Sequence, residues 1–407
     1  MVDYEYMVVM VPGSDQKPGE GVTRHVYEIS KRLAKRGIKV LGIKSSYIEL
    51  RVKYIENYLL LEIPNKWFSL LHSGIANKIP DFLNQILYYA SYREVTKNVI
   101  KSSKSPIILH THGFYTSSQP SSNSDTIKRL STFHGFVPLD IAVQNNRCFR
   151  AKLMLYLLRR IYRNSDHYTV FTEHVRKITT NLYGIEPERI DVVPHGVDAD
   201  FFQRSSESNE VKSIERKYNL DKPHRILFLG QLSRTKRPDV ILRALKIISS
   251  RRNDIMLVIA SRWGDYYLET MKLIRDLNLG NRVRLISKPV FGNELRALYK
   301  SATAFINIYQ PYSSYSTALL EAMASGIPPI VYEHSGNRYV VDESTGFILR
   351  KLDPIELSEL FTYIVENEDE TKKKGKNAQF KVSKFYDWDK AVIPKYISVY
   401  NKLLAYD

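Results

Sequence analysis

One alternation constrains this chain more than any other feature: short apolar runs that read as buried strands alternate with stretches of helical periodicity. YMVVMVP precedes VTRHVYEISKRLAKRG, and IKVLGIK, YLLLEIP, a helical stretch around 82–102, PIILHTHG, RLSTFHG and HYTVFTEH carry the series on. After a polar segment, Arg204–Lys217, it restarts with HRILFLGQ and runs through PDVILRALKIISSR, IMLVIAS, LETMKLIRDLNL, VRLISKP, ELRALYKS, AFINIYQ and IPPIVYE. Such a pattern predicts an α/β protein with parallel sheets covered by helices. At 407 residues the chain is too long for one ordinary core. Two domains are expected, with the polar segment as the linker between them.

Composition narrows the class. Hydrophobic residues make up 43% and charged residues 25% of the chain, as in soluble globular proteins. No apolar run reaches the roughly 18 residues a membrane span requires. The N-terminus, MVDYEYMVVMVPG, carries an acid and turns early, so it reads as a first strand rather than a leader. A single cysteine, Cys148, excludes an internal disulfide and a cysteine zinc site, and a reducing cytoplasm is the expected setting. The net charge of +17 points to an anionic partner or surface. Its sharpest cluster is RCFRAKLMLYLLRRIYR, Arg147 to Arg163, where apolar residues recur at helical spacing among basic ones. That helix either lies on anionic membrane, which would place the protein at the inner membrane face, or turns its apolar side to a core. No nucleic-acid-binding motif accompanies the charge, so nucleic acid is not an expected partner.

Ligands of open α/β sheets bind at the carboxyl ends of the strands, which gives the residues there positional meaning. Gly13, Gly19 and Gly21 follow the first strand, either as a plain turn or as a loop that lets backbone N–H groups approach an anion. His110 and His112 alternate in LHTHG and would share one strand face. A metal pair, a polar cleft residue and a satisfied core histidine are all open for them, with metal the least favoured. His134 ends the next strand, in TFHG. In QPYSSYSTALLEAMASGIPP, Gln310–Pro329, the residues Ser313, Ser314, Ser316 and Thr317 are capping types ahead of a strong helix former stopped by Gly326 and two prolines. The helix start offers N–H groups to an anion, and Glu321 lies about one turn in, either solvated or facing a ligand.

LLEAMASGIPPIV closely resembles the ending of the signature of the retaining family-4 glycosyltransferases of the GT-B fold. GEGVTRHVYEISKRLAKRGIKV, SDHYTVFTEHVRKI, DVVPHGVDADFF, FLGQLSRTKRPDVILRAL and FYDWDKAVIPKYISVYNKLL resemble further segments of that family, in its order and spacing. The resemblance implies two Rossmann-like doubly wound domains facing a cleft. These would be an acceptor-side domain over 1–203, a nucleotide-sugar domain over 204–383 and a closing helix over 384–407 that returns to the first domain.

It also implies glycosyl transfer with retention from a nucleotide diphosphate sugar, a co-substrate rather than a cofactor, to a lipid-linked or glycan acceptor, with no metal required. Lys236, Arg234, Gly21 and the Ser316–Thr317 amides would meet the donor phosphates, Ser313 the sugar and Glu321 the ribose. His134 would flank the reacting centre, and His110 and His112 would lie on the acceptor side. Two positions depart from the family: Ser313 stands where its first glutamate is usual, and Gln231 where it has arginine. They motivate a rival reading as a non-catalytic nucleotide- or glycan-binding protein. Asp198-Ala199-Asp200 and Asp387-Trp388-Asp389 would suit a metal-dependent GT-A enzyme, but their context reads as a loop and a helix cap.

Overall fold

The computed structural model describes residues 6–14, 21–46, 49–64, 105–113, 126–135, 163–205, 208–261, 264–308 and 315–405, with scattered helical positions between 92 and 100 and between 152 and 162. The chain divides into two compact units, Met1–His195 with Ala391–Asp407, and Gly196–Lys390.

The first unit is built on eight strands: β1 (Met7–Val11), β2 (Lys39–Ser46), β3 (Arg51–Ile55), β4 (Tyr58–Pro64), β5 (Ile107–His112), β6 (Ile127–Thr132), β7 (His167–Val170) and β8 (Ile190–Val192). Their order is β3-β4-β2-β1-β5-β6-β7-β8. Every pair is parallel except β3 with β4, a hairpin that the sequence pattern did not announce. Val9 pairs with Leu41 on one side and Leu109 on the other, and all three belong to one apolar cluster. Strand order reverses between β1 and β5, which makes the carboxyl ends of those two strands the expected ligand crevice of this sheet. The Gly21–Lys35 helix follows β1 and buries Val26, Ile29 and Leu33. Thr172 caps the Glu173–Tyr183 helix by accepting from Val175 N, and Gly184 ends it in the left-handed region.

The second unit carries β9 (His224–Leu229), β10 (Ile255–Ala260), β11 (Val283–Ile286), β12 (Ala304–Asn307), β13 (Pro329–Tyr332) and β14 (Phe347–Leu349). Their order is β11-β10-β9-β12-β13-β14, all parallel, so the switch point lies between β9 and β12. Ile226, Phe228, Leu257, Ile259 and Ile306 from the strands pack with Ile241 and Leu245 of the Pro238–Ser249 helix. The segment expected to be a linker is mostly helix, Ser208–Lys217. Its Ile214 is buried and Glu215 pairs with Arg225 at 2.7 Å, which ties it to the second unit. The polar composition that suggested a linker is the solvated side of an amphipathic helix. Among the described residues no helix is long and apolar enough to cross a membrane.

Candidate functional site

In the second unit the chain leaves β9 through Gly230, at φ +138, a conformation that L side chains rarely adopt. A Cβ there would also overlap Lys236 Nζ, so the glycine makes room for the lysine. The Lys236 ammonium is half-buried and stands 5.9 Å from the Phe228 ring centre. Burial lowers its pKa to about 8, and no neighbouring carboxylate among the described residues opposes that fall. The flanking arginines differ in commitment. Arg237 is held by both oxygens of Asp239, at 3.0 and 2.8 Å, whereas Arg234 is exposed and lies over the Tyr266 ring. Gln231 is exposed as well. An anion at the end of β9 would thus be met by Lys236 and Arg234, with Arg237 already neutralised.

Across the switch point, β12 leads to the Thr317–Ala324 helix. Tyr309–Ser314 lie outside the described residues, and with them Ser313. Asn337 fixes the helix entry: its Nδ2 donates to Asn307 O at 3.0 Å, and its Oδ1 accepts from Ser316 N at 3.1 Å. The Ser316 amide is therefore engaged within the protein rather than turned to a phosphate. Thr317 begins the helix and is partly buried. Glu321 is only 3% exposed, and its Oε2 accepts from the Tyr299 hydroxyl at 3.0 Å. This excludes the solvated helix position that the sequence left open for it.

In the first unit five histidines converge at the carboxyl ends of the central strands. His110 and His112 share a face of β5, as their alternation requires, with ring centres 4.2 Å apart. His110 is satisfied on both nitrogens, by Tyr400 Oη at 2.9 Å and Thr132 Oγ1 at 2.7 Å. His112 Nδ1 meets His134 Nε2 at 3.0 Å. His25, one helical turn after Gly21, stacks edge-on to His134 at 4.9 Å and lies 4.6 Å from the His195 ring. Its Nε2 is 3.1 Å from the Tyr396 hydroxyl. Burial first, and then the neighbouring imidazoles, hold His25, His112 and His134 well below the ordinary histidine pKa, and bring His110 to about 3. Near neutral pH these four imidazoles are uncharged, able to accept or relay a proton but not to supply a permanent cation. Gly21 opens the helix, with no atom of the described residues within 4 Å of the position a Cβ would take; Gly19 is outside the described residues.

Both Asp-x-Asp strings are helix caps. Asp198 accepts from Phe201 N at 3.0 Å. Asp387 accepts from Asp389 N and Lys390 N at 2.9 Å and from Ala199 N at 3.1 Å. The first was expected to be a plain loop. Of the basic segment, positions 147–151 lie outside the described residues, Cys148 included. Further on, Leu158 and Tyr162 are buried in a cluster with Phe133 and Tyr183, while Lys152, Arg159 and Arg160 are exposed. Arg159 Nε donates to Leu182 O at 2.6 Å. Of the described apolar residues here, Leu158 and Tyr162 thus serve the core, while Tyr156 is exposed.

Sequence reasoning missed His25, His195, Tyr299 and Asn337. His25 was legible, since it lies four residues after Gly21 and so on the same helical face. The other three depend on contacts between elements far apart in sequence.

Two family models together span most of the chain: "Glycosyltransferase Family 4" matches residues 19–201 and "Glycosyl transferases group 1" residues 210–381. A D-inositol 3-phosphate glycosyltransferase from Salinispora tropica is 26% identical over 235 residues, 55% of this chain and 48% of that protein. The chain spans about half the length of the first such curated relatives. Among solved structures, sucrose-phosphate synthase from Thermosynechococcus elongatus superposes with a TM-score of 0.79 at 18% identity, over 99% of this chain and 100% of that one. HepE from Anabaena, solved in complex with UDP and glucose, gives 0.70 at 14% identity, over 98% and 100%. These structures share the fold, two Rossmann-like α/β domains of the GT-B type. With both halves matched in order, this chain belongs to the family-4, group 1 glycosyltransferases.

Proposed function

We propose that the protein transfers a glycosyl group, with retention, from a nucleoside diphosphate sugar to a hydroxyl of a lipid-linked or glycan acceptor. The observation that carries this reading is Lys236, a half-buried ammonium beside Gly230 at the switch point, with burial and no carboxylate among the described residues setting its pKa. A diphosphate supplies the missing counter-charge. Glu321, one turn into the helix that follows β12, is assigned to the ribose hydroxyls, and Thr317 with Arg234 to the phosphates. In the first unit, His134 flanks the sugar, Gly21 gives close approach, and His110 and His112 line the acceptor side.

The C1–O bond to the diphosphate breaks while the acceptor oxygen bonds to C1 on the same face. The acceptor proton passes to the departing diphosphate, so no protein nucleophile is required. Lys236 stabilises the charge that grows on the leaving group. Donor binding on the second unit is assigned to side chains and amides alone, without a metal.

UDP and glucose in the HepE structure make UDP-sugars the first donors to offer. A thermal-shift panel of UDP-, GDP- and ADP-sugars tests the reading, because a ligand at 100 times its Kd stabilises by roughly 2.7 kcal/mol. No shift with any of them at millimolar concentration overturns it. Gln231, exposed and uncharged where the family has arginine, supports the second reading of a non-catalytic binder. A donor that binds but is neither transferred nor hydrolysed would select that one.

A further inference from the structure

We propose that His25, His112 and His134 form a binding site for a divalent transition metal of the zinc class. One ring nitrogen from each lies within 4.8 Å of the other two. The three come from separate elements, the Gly21–Lys35 helix, the end of β5 and the turn after β6, so the fold and not a local motif assembles them.

The closest pair, His112 Nδ1 and His134 Nε2 at 3.0 Å, nears the roughly 3.3 Å that separates two nitrogens sharing a tetrahedral ion at about 2.0–2.1 Å. The widest spacing must close by about 1.5 Å, within reach of ring rotation. The Tyr396 hydroxyl on His25 Nε2 is the kind of outer contact that orients a metal-binding imidazole. Three imidazoles with neither thiolate nor carboxylate suit zinc, cobalt, nickel or copper rather than magnesium or calcium. A fourth position is left to water or an anionic ligand, as in three-histidine zinc sites. His110 lies outside the set, with both nitrogens engaged elsewhere. The site shares His112 and His134 with the acceptor side proposed above, so its test reads metal retention rather than turnover.

The test uses the full chain without a polyhistidine tag, stripped by chelator and reloaded with Zn2+ or Co2+. One zinc per chain retained through gel filtration, a raised melting temperature, and the intense visible bands of tetrahedral Co2+ are expected. His25→Gln, His112→Gln and His134→Gln should each weaken retention tenfold or more, while His110→Gln retains it. Should a buried substitution fail to fold, the partly exposed His134 still decides the matter. Failure to retain metal, or equal retention in wild type and a folded His134→Gln protein, overturns the proposal. Neither result bears on whether nucleoside diphosphates bind.

Discussion

The affinity of the protein for a nucleoside diphosphate should depend on pH through Lys236. In the free protein burial holds this ammonium at about pKa 8. A bound diphosphate restores the charged form and returns the pKa towards the ordinary lysine value of about 10.4. Below about pH 7 the lysine is charged in both states and contributes no pH dependence. Above about pH 8 the free protein loses a proton that binding must recover, so affinity falls about tenfold per pH unit until the bound form also titrates. Between pH 7 and pH 9 the loss is about tenfold, or roughly 1.4 kcal/mol, with nearly one proton taken up per complex at the upper end. Calorimetry in buffers of different ionisation heat measures both quantities. Lys236→Gln should bind weakly with a flat profile, and its difference from wild type removes the ligand's own ionisations. A wild-type profile as flat as that of Lys236→Gln would refute the assignment of Lys236 to the phosphates.

Glu321→Gln keeps an acceptor for Tyr299 and nearly the same volume, so the protein should melt close to wild type. Its affinity for a nucleoside diphosphate should fall about fivefold, since hydrogen bonds to a charged group are worth about 1 kcal/mol more than neutral ones; unchanged affinity by calorimetry removes the ribose assignment. Asn337→Ala deletes both bonds that fix the helix entry and should cost about 2 kcal/mol, seen as a fall in Tm of roughly 4–8 °C; an unshifted melt would show the latch to be unimportant. Reversal of the exposed Lys152 and Arg160 to glutamate should weaken binding to anionic liposomes at low salt by at least about 2 kcal/mol, or thirtyfold, if the basic face meets membrane. Equal co-sedimentation of wild type and variant would rule that contact out. Arg159 is left alone in that test because it holds the Leu182 carbonyl.

The strands were readable because parallel sheets buried on both faces need unbroken apolar runs, and β1, β5, β9, β10 and β12 are such runs. The hairpin β3–β4 was overlooked because RVKYI carries charge, Tyr54 being 83% exposed, and only its alternation marked it. β14, three residues long, was too short to register. The end-of-strand rule drew attention to His110, His112 and His134, whose places at strand ends follow from local order, whereas Lys236 and the roles of all four came from the family resemblance. Asn337 could not be found that way, for its value lies in reaching Asn307 and Ser316, which the sheet brings beside it. The same holds for Tyr396 and Tyr400, which meet His25 and His110 across 371 and 290 positions of sequence.

Those two tyrosines set an order of assembly. The Ile393–Ala405 helix is made after the whole of the second unit, yet it buries Tyr396 and Tyr400 in the first. During synthesis the second unit can close as soon as Lys390 is free. The first must wait, its strands paired but His25 and His110 still lacking their tyrosines. At about 5–20 residues per second the delay is roughly 10–40 s. Over that interval His25 and His110 lack the hydroxyls that Tyr396 and Tyr400 supply in the finished fold.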